Sequence, residues 1–181
     1  MRYKYCPECG FCLFDREAGD DGAVPYCDRC KRYWFDSFSC CVIVMVVNEF
    51  NEIALLRQSY ISDEYQTFVA GFMTLGETAE QAAVREVKEE LGLDVGKLVY
   101  AGTHWFAKRE QLMHAFIGHV RRSDFRLSTE VDSASWVSLE DAPSKMFPDR
   151  PGNTQHIIYR QYLDSLSDRK FRGTRIGFSL W

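Results

Sequence analysis

Glu86, Glu89 and Glu90 stand at i, i+3 and i+4. On an α-helix that spacing gathers three carboxylates on one face. Like charges so placed repel and cost helix stability, and the nearest lysine that could offset them is Lys88. A hard divalent cation would offset them better, and carboxylate oxygens at this spacing suit Mg²⁺ or Mn²⁺. Glu77 precedes the helix and is placed to be held by Arg85, an ion pair that would fix the loop against the helix. Gly71 and Gly76 permit a tight loop between a strand and the helix, and Gly92 stands where a left-handed residue would end it.

A second set of chemically capable residues lies near the N-terminus. Cys6, Cys9, Cys27 and Cys30 have the spacing C-x₂-C-x₁₇-C-x₂-C, within the window of a zinc ribbon. Each C-x-x-C offers two thiolates from one turn, and two turns complete a tetrahedral sulfur shell. With every position filled by sulfur, such a Zn²⁺ has no open site and is structural. Cys12 extends the first pair and is a competing ligand without a matching partner. Cys40 and Cys41 read as thiols of a buried strand.

The elements that must position these groups follow from patterning. Residues 1–36 are dense in Cys, Asp and Gly and cannot build a core alone, so metal would replace one. From Ser39 the character changes. Residues 40–47, "CCVIVMVV", read as a buried strand, and 52–58, "EIALLRQ", as its partner across the turn "NEFN". Residues 66–72 form a third strand. Residues 78–91 are helical, with Ala79, Ala82, Ala83, Val87 and Leu91 close to one face. Further strands fit 98–103, 112–120 and 135–137, and a last helix runs from a cap at Asn153 or Thr154 to about Leu166. The division is therefore a ribbon over 1–36 and a mixed α/β domain over 37–181.

Composition bounds the partners. The chain of 181 residues is 46% hydrophobic and 27% charged, with a formal net charge of −4, which disfavours a general nucleic-acid binder. Residues 1–36 hold six Lys/Arg against seven Asp/Glu, so the ribbon has no basic footprint. The longest apolar run is far too short for a bilayer, and "MRYKYCPECG" has no signal-peptide core, so a cytoplasmic, membrane-free protein is expected.

Residues 71–93 match G-x₅-E-x₇-R-E-U-x-E-E-x-G-U, with U apolar, through Gly71, Glu77, Arg85, Glu86, Val87, Glu89, Glu90, Gly92 and Leu93. This is the Nudix box, and most of residues 39–165 resembles a Nudix hydrolase. The resemblance implies an α+β fold, a Nudix-type α/β/α sandwich with a mixed sheet preceded by the zinc ribbon. It implies metal-dependent hydrolysis of a nucleoside diphosphate linked to another group. Glu86, Glu89 and Glu90 would hold Mg²⁺ or Mn²⁺ with the Gly71 carbonyl, while Glu77, Arg85 and Gly92 are structural.

A zinc ribbon directly before the domain resembles the NADH pyrophosphatases, which split NAD(H) into a nicotinamide mononucleotide and AMP. That likeness places a further metal-binding or base glutamate at Glu130, six residues before Trp136. It makes Phe72 a base-stacking residue and implies a homodimer. The family's S-Q-P-W-P-F-P signature is absent. "THWFAKRE" stands in its place, keeping aromatic character at Trp105 and Phe106 as candidate substrate contacts. The small-molecule nucleotide substrate is thus an NADH-like dinucleotide. The alternatives are ADP-ribose, another conjugate or a nucleotide-capped RNA end, and in another class a non-catalytic nucleotide-sensing regulator. The intact glutamate cluster opposes the last.

Overall fold

Strand β4 (Ser39–Val47) is apolar from Cys40 onward and buried from Cys41, because both its faces are covered. Ile43, Met45 and Val47 point into one core with Ile158, Tyr159 and Tyr162. Val42, Val44 and Val46 point into another with Ala82, Ala83, Val87 and Leu91. Strand side chains alternate between faces, so one run of eight apolar residues serves two cores. The result is a sheet between two helical layers. The computed structural model describes residues 2–173, with side chains up to 167. Residues 174–181 of the domain expected over 37–181 lie outside the described residues.

The chain divides into two compact units. The first comprises, among the described residues, 2–39 with 107–111. Its strands β1 (Phe14–Glu17), β2 (Ala23–Cys27) and β3 (Arg32–Tyr33) form an antiparallel sheet in that order. Phe14, Tyr26 and Tyr33 face one another across it and stack edge to face.

The second unit comprises, among the described residues, 40–106 and 112–173. Strand β4 pairs antiparallel with β5 (Ile53–Arg57) at one end and with β6 (Val69–Phe72) at the other. Across its other edge lie β8 (Gln111–Val120) and then β7 (Val95–Phe106), while β9 (Ser133–Val137) pairs with β5. Cys41 lies against Leu112 and Val44 against Gly118, so β8 runs in the same direction as β4 and the sheet is mixed. Helix α1 (Ala79–Leu91) covers one face; α2 (Ala142–Lys145) and α3 (Thr154–Gly173) contribute to the core on the other. Among the described residues no helix is long and apolar enough to cross a membrane.

Helix α1 starts and stops on local signals. Thr78 caps it by accepting from the Gln81 N–H while the Gln81 side chain accepts from the Thr78 N–H, a reciprocal capping box. Gly92 ends it in the left-handed region at φ 71°. At α3 the Asn153 side chain accepts from the Gln155 N–H, so Asn153 is the cap and Thr154 the first helical residue.

Candidate active site

The box residues meet where β6 feeds the loop into α1. Arg85 grips Glu77 with two donors, Nε to Oε2 at 3.0 Å and Nη2 to Oε1 at 2.7 Å. Its Nη2 also reaches the Phe72 carbonyl at 3.0 Å, and Nη1 reaches Glu86 Oε1 at 2.7 Å and Glu89 Oε2 at 2.9 Å. Glu77 in turn accepts from the Thr74 N–H, which ties the loop to the same brace. Arg85 draws the Glu77 carboxyl down to about 2, and the Thr74 N–H adds to this. With each guanidinium nitrogen engaged inside the protein, Arg85 organises the carboxylates.

The remaining carboxylates grade from surface to interior. Glu89 is 57% exposed, Glu86 13%, and Glu90 only 4%. Burial raises the Glu86 carboxyl; Glu89 and Glu130 add to this, and Arg85 opposes it. Burial and the neighbouring Glu86 push Glu90 up to about 7, with the charge of Glu130 a smaller contribution, while Gln58 and the Ala70 amide pull the other way. One oxygen of Glu90 accepts from Gln58 Nε2 at 3.1 Å. The other is buried with no hydrogen bond of normal geometry. A buried carboxylate oxygen without a well-formed hydrogen bond is costly. An oxygen-loving cation held by Glu86, Glu89 and Glu90 would satisfy it, so these residues fit Mg²⁺ or Mn²⁺.

Gly71 is needed here for space. A Cβ at this position would lie 2.0 Å from Glu86 Cδ and Oε1. Its backbone pairs with Val42 on β4, which fixes the strand under the Glu86 carboxylate.

Glu130 sits on the loop before β9. That loop is pinned to the end of α1: the Arg126 N–H donates to the Leu91 carbonyl at 2.9 Å and the Ser128 N–H to the Glu90 carbonyl at 3.4 Å. The fold therefore carries the Glu130 charge into the field of Glu86 and Glu90 across 40 residues of chain. Lys88 does not offset the cluster. It pairs with Asp94 at 2.7 Å, and Arg85 takes the offsetting part instead. Gln58 did not stand out in the sequence, where it reads as the polar end of a strand.

Phe72 is 56% exposed at the end of β6, opposite Cys41 on β4. Trp105 and Phe106, at the end of β7, are also exposed. Strands β8 and β4 lie between β7 and β6 in the sheet, so these aromatics and Phe72 are on strands three positions apart. They share one end of the sheet, since β8 starts after the turn that follows Phe106 and its Leu112 touches Cys41.

In the first unit, the Cys6, Cys9, Cys27 and Cys30 sulfurs all lie within 4.8 Å of one another. The Cys6–Cys30 and Cys9–Cys27 pairs are 3.9 and 3.6 Å apart. A zinc–sulfur bond of about 2.3 Å implies tetrahedral edges of about 3.8 Å, so the four thiols fit a zinc ion. The Cys30 N–H donates to Cys27 Sγ at 3.3 Å, the kind of turn that aims both sulfurs inward. Cys12 is exposed, outside the cluster, and its thiol donates to the Leu13 carbonyl. Cys41 is buried and Cys40 half-buried at the start of β4.

Residues 39–157 match the family model of the NUDIX domain. The chain belongs to the Nudix family. Over 144 residues it is 31% identical to the NAD-capped RNA hydrolase NudC of Vibrio atlanticus (strain LGP32), covering 77% of this chain and 51% of that protein. Against the protein of that name from Pseudomonas aeruginosa (strain LESB58) it is 32% identical over 152 residues, covering 83% of this chain and 53% of the relative. The chain thus spans about half the length of these curated relatives. Among solved structures, a NUDIX hydrolase from Nitrosomonas europaea superposes with a TM-score of 0.73 at 21% identity, covering 92% of this chain and 93% of that one. The NUDIX domain of Shewanella oneidensis NrtR, solved with ADP-ribose, superposes with a TM-score of 0.58 at 14% identity, covering 76% and 93%. At these identities the Nudix fold is what the structures share.

Proposed function

We propose that this chain is a metal-dependent pyrophosphatase that cleaves the diphosphate of an NAD-type dinucleotide, either free as NADH or at the 5′ end of an RNA. The observation that carries the reading is the buried Glu90 oxygen, which makes no hydrogen bond of normal geometry, beside Glu86 and Glu89. An anionic cluster of this kind would repel a diphosphate unless a cation stood between them. The names of the curated relatives support the NAD-type substrate.

Bound Mg²⁺ or Mn²⁺ would neutralise the diphosphate and lower the pKa of a bound water. The chain's own groups have distinct parts in this reading. Glu86, Glu89 and Glu90 hold the cation, with the Gly71 carbonyl as a further ligand. Arg85 keeps Glu86 and Glu89 in register with Glu77. Glu130, on an exposed loop close to these carboxylates, takes the proton from the attacking water. Phe72 at one strand end and Trp105 with Phe106 at another offer two separated aromatic faces, as the two ring systems of a dinucleotide require. The four cysteines hold a structural zinc, and the working state is a homodimer, as the resemblance implies.

The test is a substrate panel with Mg²⁺ and with Mn²⁺: NADH, NAD⁺, ADP-ribose and an RNA with a 5′ NAD cap, resolved by chromatography. Expected products are AMP and a nicotinamide mononucleotide from the free dinucleotides, and a 5′-monophosphate RNA from the capped one. Turnover of ADP-ribose alone would reassign the substrate. No turnover of any member, with nucleotide still bound, would point to a sensor.

A further inference from the structure

Gln58 lies one residue beyond β5, where an apolar strand ordinarily gives way to a solvated loop, yet it is only 3% exposed. A buried amide is costly unless paired, and this one spends its Nε2 donor on Glu90 Oε1 at 3.1 Å. The backbone on either side of Gln58 is fixed by one residue, Asp132. Its N–H donates to the Arg57 carbonyl at 3.0 Å, and its Oδ2 accepts from the Ser59 N–H. The Gln58 carbonyl accepts from the Ile61 and Ser62 N–H groups at 2.8 and 3.1 Å. Asp132 belongs to the loop that carries Glu130 and that docks through Ser128 on the Glu90 carbonyl. The end of β5, the last turn of α1 and the Glu130 loop therefore converge on the Gln58–Glu90 contact.

The two oxygens of a glutamate are chemically equivalent, and the terminal torsion that exchanges them is soft. A ligand set that needs one particular oxygen of Glu90 must break that equivalence. The Gln58 amide does so by occupying Oε1, while Oε2 makes no hydrogen bond of normal geometry. Partners of this sort behind a ligating carboxylate commonly contribute 10–100-fold to metal affinity.

We infer that Gln58 is a positioning residue of the metal site: its amide holds Glu90 by Oε1 and leaves Oε2 as the ligating atom. The inference rests on the proposed reading of Glu86, Glu89 and Glu90 as Mg²⁺ or Mn²⁺ ligands. Its test compares the full-length wild type, Gln58→Met and Glu90→Gln. Mn²⁺ binding is followed by the electron paramagnetic resonance of free Mn²⁺, and folding by circular dichroism. Gln58→Met keeps the length and bulk of the side chain and removes the donor. It is expected to weaken Mn²⁺ binding about tenfold or more and to raise the Mn²⁺ concentration for half-maximal activity in step. If Gln58→Met binds Mn²⁺ like the wild type while Glu90→Gln does not, the inference falls and the metal reading stands. If Glu90→Gln also binds like the wild type, the metal reading itself falls. Should Gln58→Met fail to fold, the wild type carries the test. The Gln58 side-chain amide resonance must exchange more slowly than those of exposed glutamines and must shift along the Mg²⁺ binding curve; a resonance indifferent to Mg²⁺ overturns the inference.

Discussion

A side chain that is not there decides where Glu86 sits. The Glu86 carboxylate occupies the space a Cβ on residue 71 would need, and Gly71 has an ordinary strand backbone that alanine can adopt. Gly71→Ala should therefore fold with a melting temperature near that of the wild type, because the displaced group is the far end of a flexible side chain. Its kcat/KM should fall about tenfold or more, with activation shifted to higher metal concentration. Undiminished activity at low Mg²⁺ would show that Glu86 need not lie over Gly71. At this scale the sequence was readable where the chemistry is local. Three carboxylates within five positions mark a candidate cation site by their mutual repulsion. Gly71 was readable as a glycine of a tight loop, but the carboxylate that requires it comes from a helix 15 residues on. Gln58 left no trace, since nothing in a polar strand end says that it will be buried against a helix 32 residues away.

The loop from β6 to α1 is held as an element by one arginine. Arg85 links Glu77, the Phe72 carbonyl, Glu86 and Glu89, so the loop and the carboxylate face of α1 are tied together. This brace has a pH signature. The folded Glu77 carboxyl lies at about 2 against its usual 4.5, lowered chiefly by Arg85. A depressed carboxyl stabilises the fold above the unfolded value, and that contribution is lost as pH falls from about 4.5 towards 2. The melting temperature of the wild type should thus exceed that of Glu77→Gln by a constant margin above pH 5.5, and the margin should shrink steadily from pH 5 to pH 3. A margin independent of pH would mean that the Arg85–Glu77 pair does not bear on folding. Elements were legible in proportion to how far their own residues bury. Strand β4 and α1 were plain, the one apolar on both faces and the other on a single stripe. Strand β7 extends over 95–106 where the pattern predicts only 98–103, because Gly96 and Lys97 interrupt the pattern at its start while its neighbour β8 still supplies hydrogen bonds. Strands β1, β2 and β3 were not anticipated at all. Strand β1 is exposed throughout and β3 has only two residues, so neither carries an apolar alternation that the sequence could show.

As a whole molecule the chain combines two ways of ordering a polypeptide. Residues 40–106 and 112–173 fold around two apolar cores on either side of one sheet. The described residues of 2–39 have no comparable core; the buried ones are Cys6, Val24, Pro25, Tyr26 and Cys27, two of which belong to the sulfur cluster. A zinc ion held by the four thiols would then supply much of the folding free energy of this unit. Wild-type protein purified without chelator should hold one zinc per chain by elemental analysis, bound independently of the Mg²⁺ added for activity. Cys27→Ser removes the most deeply buried sulfur, which stands at the end of β2 and accepts the Cys30 N–H. Three remaining thiols cannot close the shell, so zinc content should fall well below one per chain. The loss should appear in hydrogen exchange as faster exchange over β1, β2 and β3, while the amides of β4 and α1, which rest on their own apolar cores, keep their protection. Wild-type protein without zinc, or a variant whose first three strands stay as protected as before, would mean that this unit is ordered by its aromatic row of Phe14, Tyr26 and Tyr33 and not by metal.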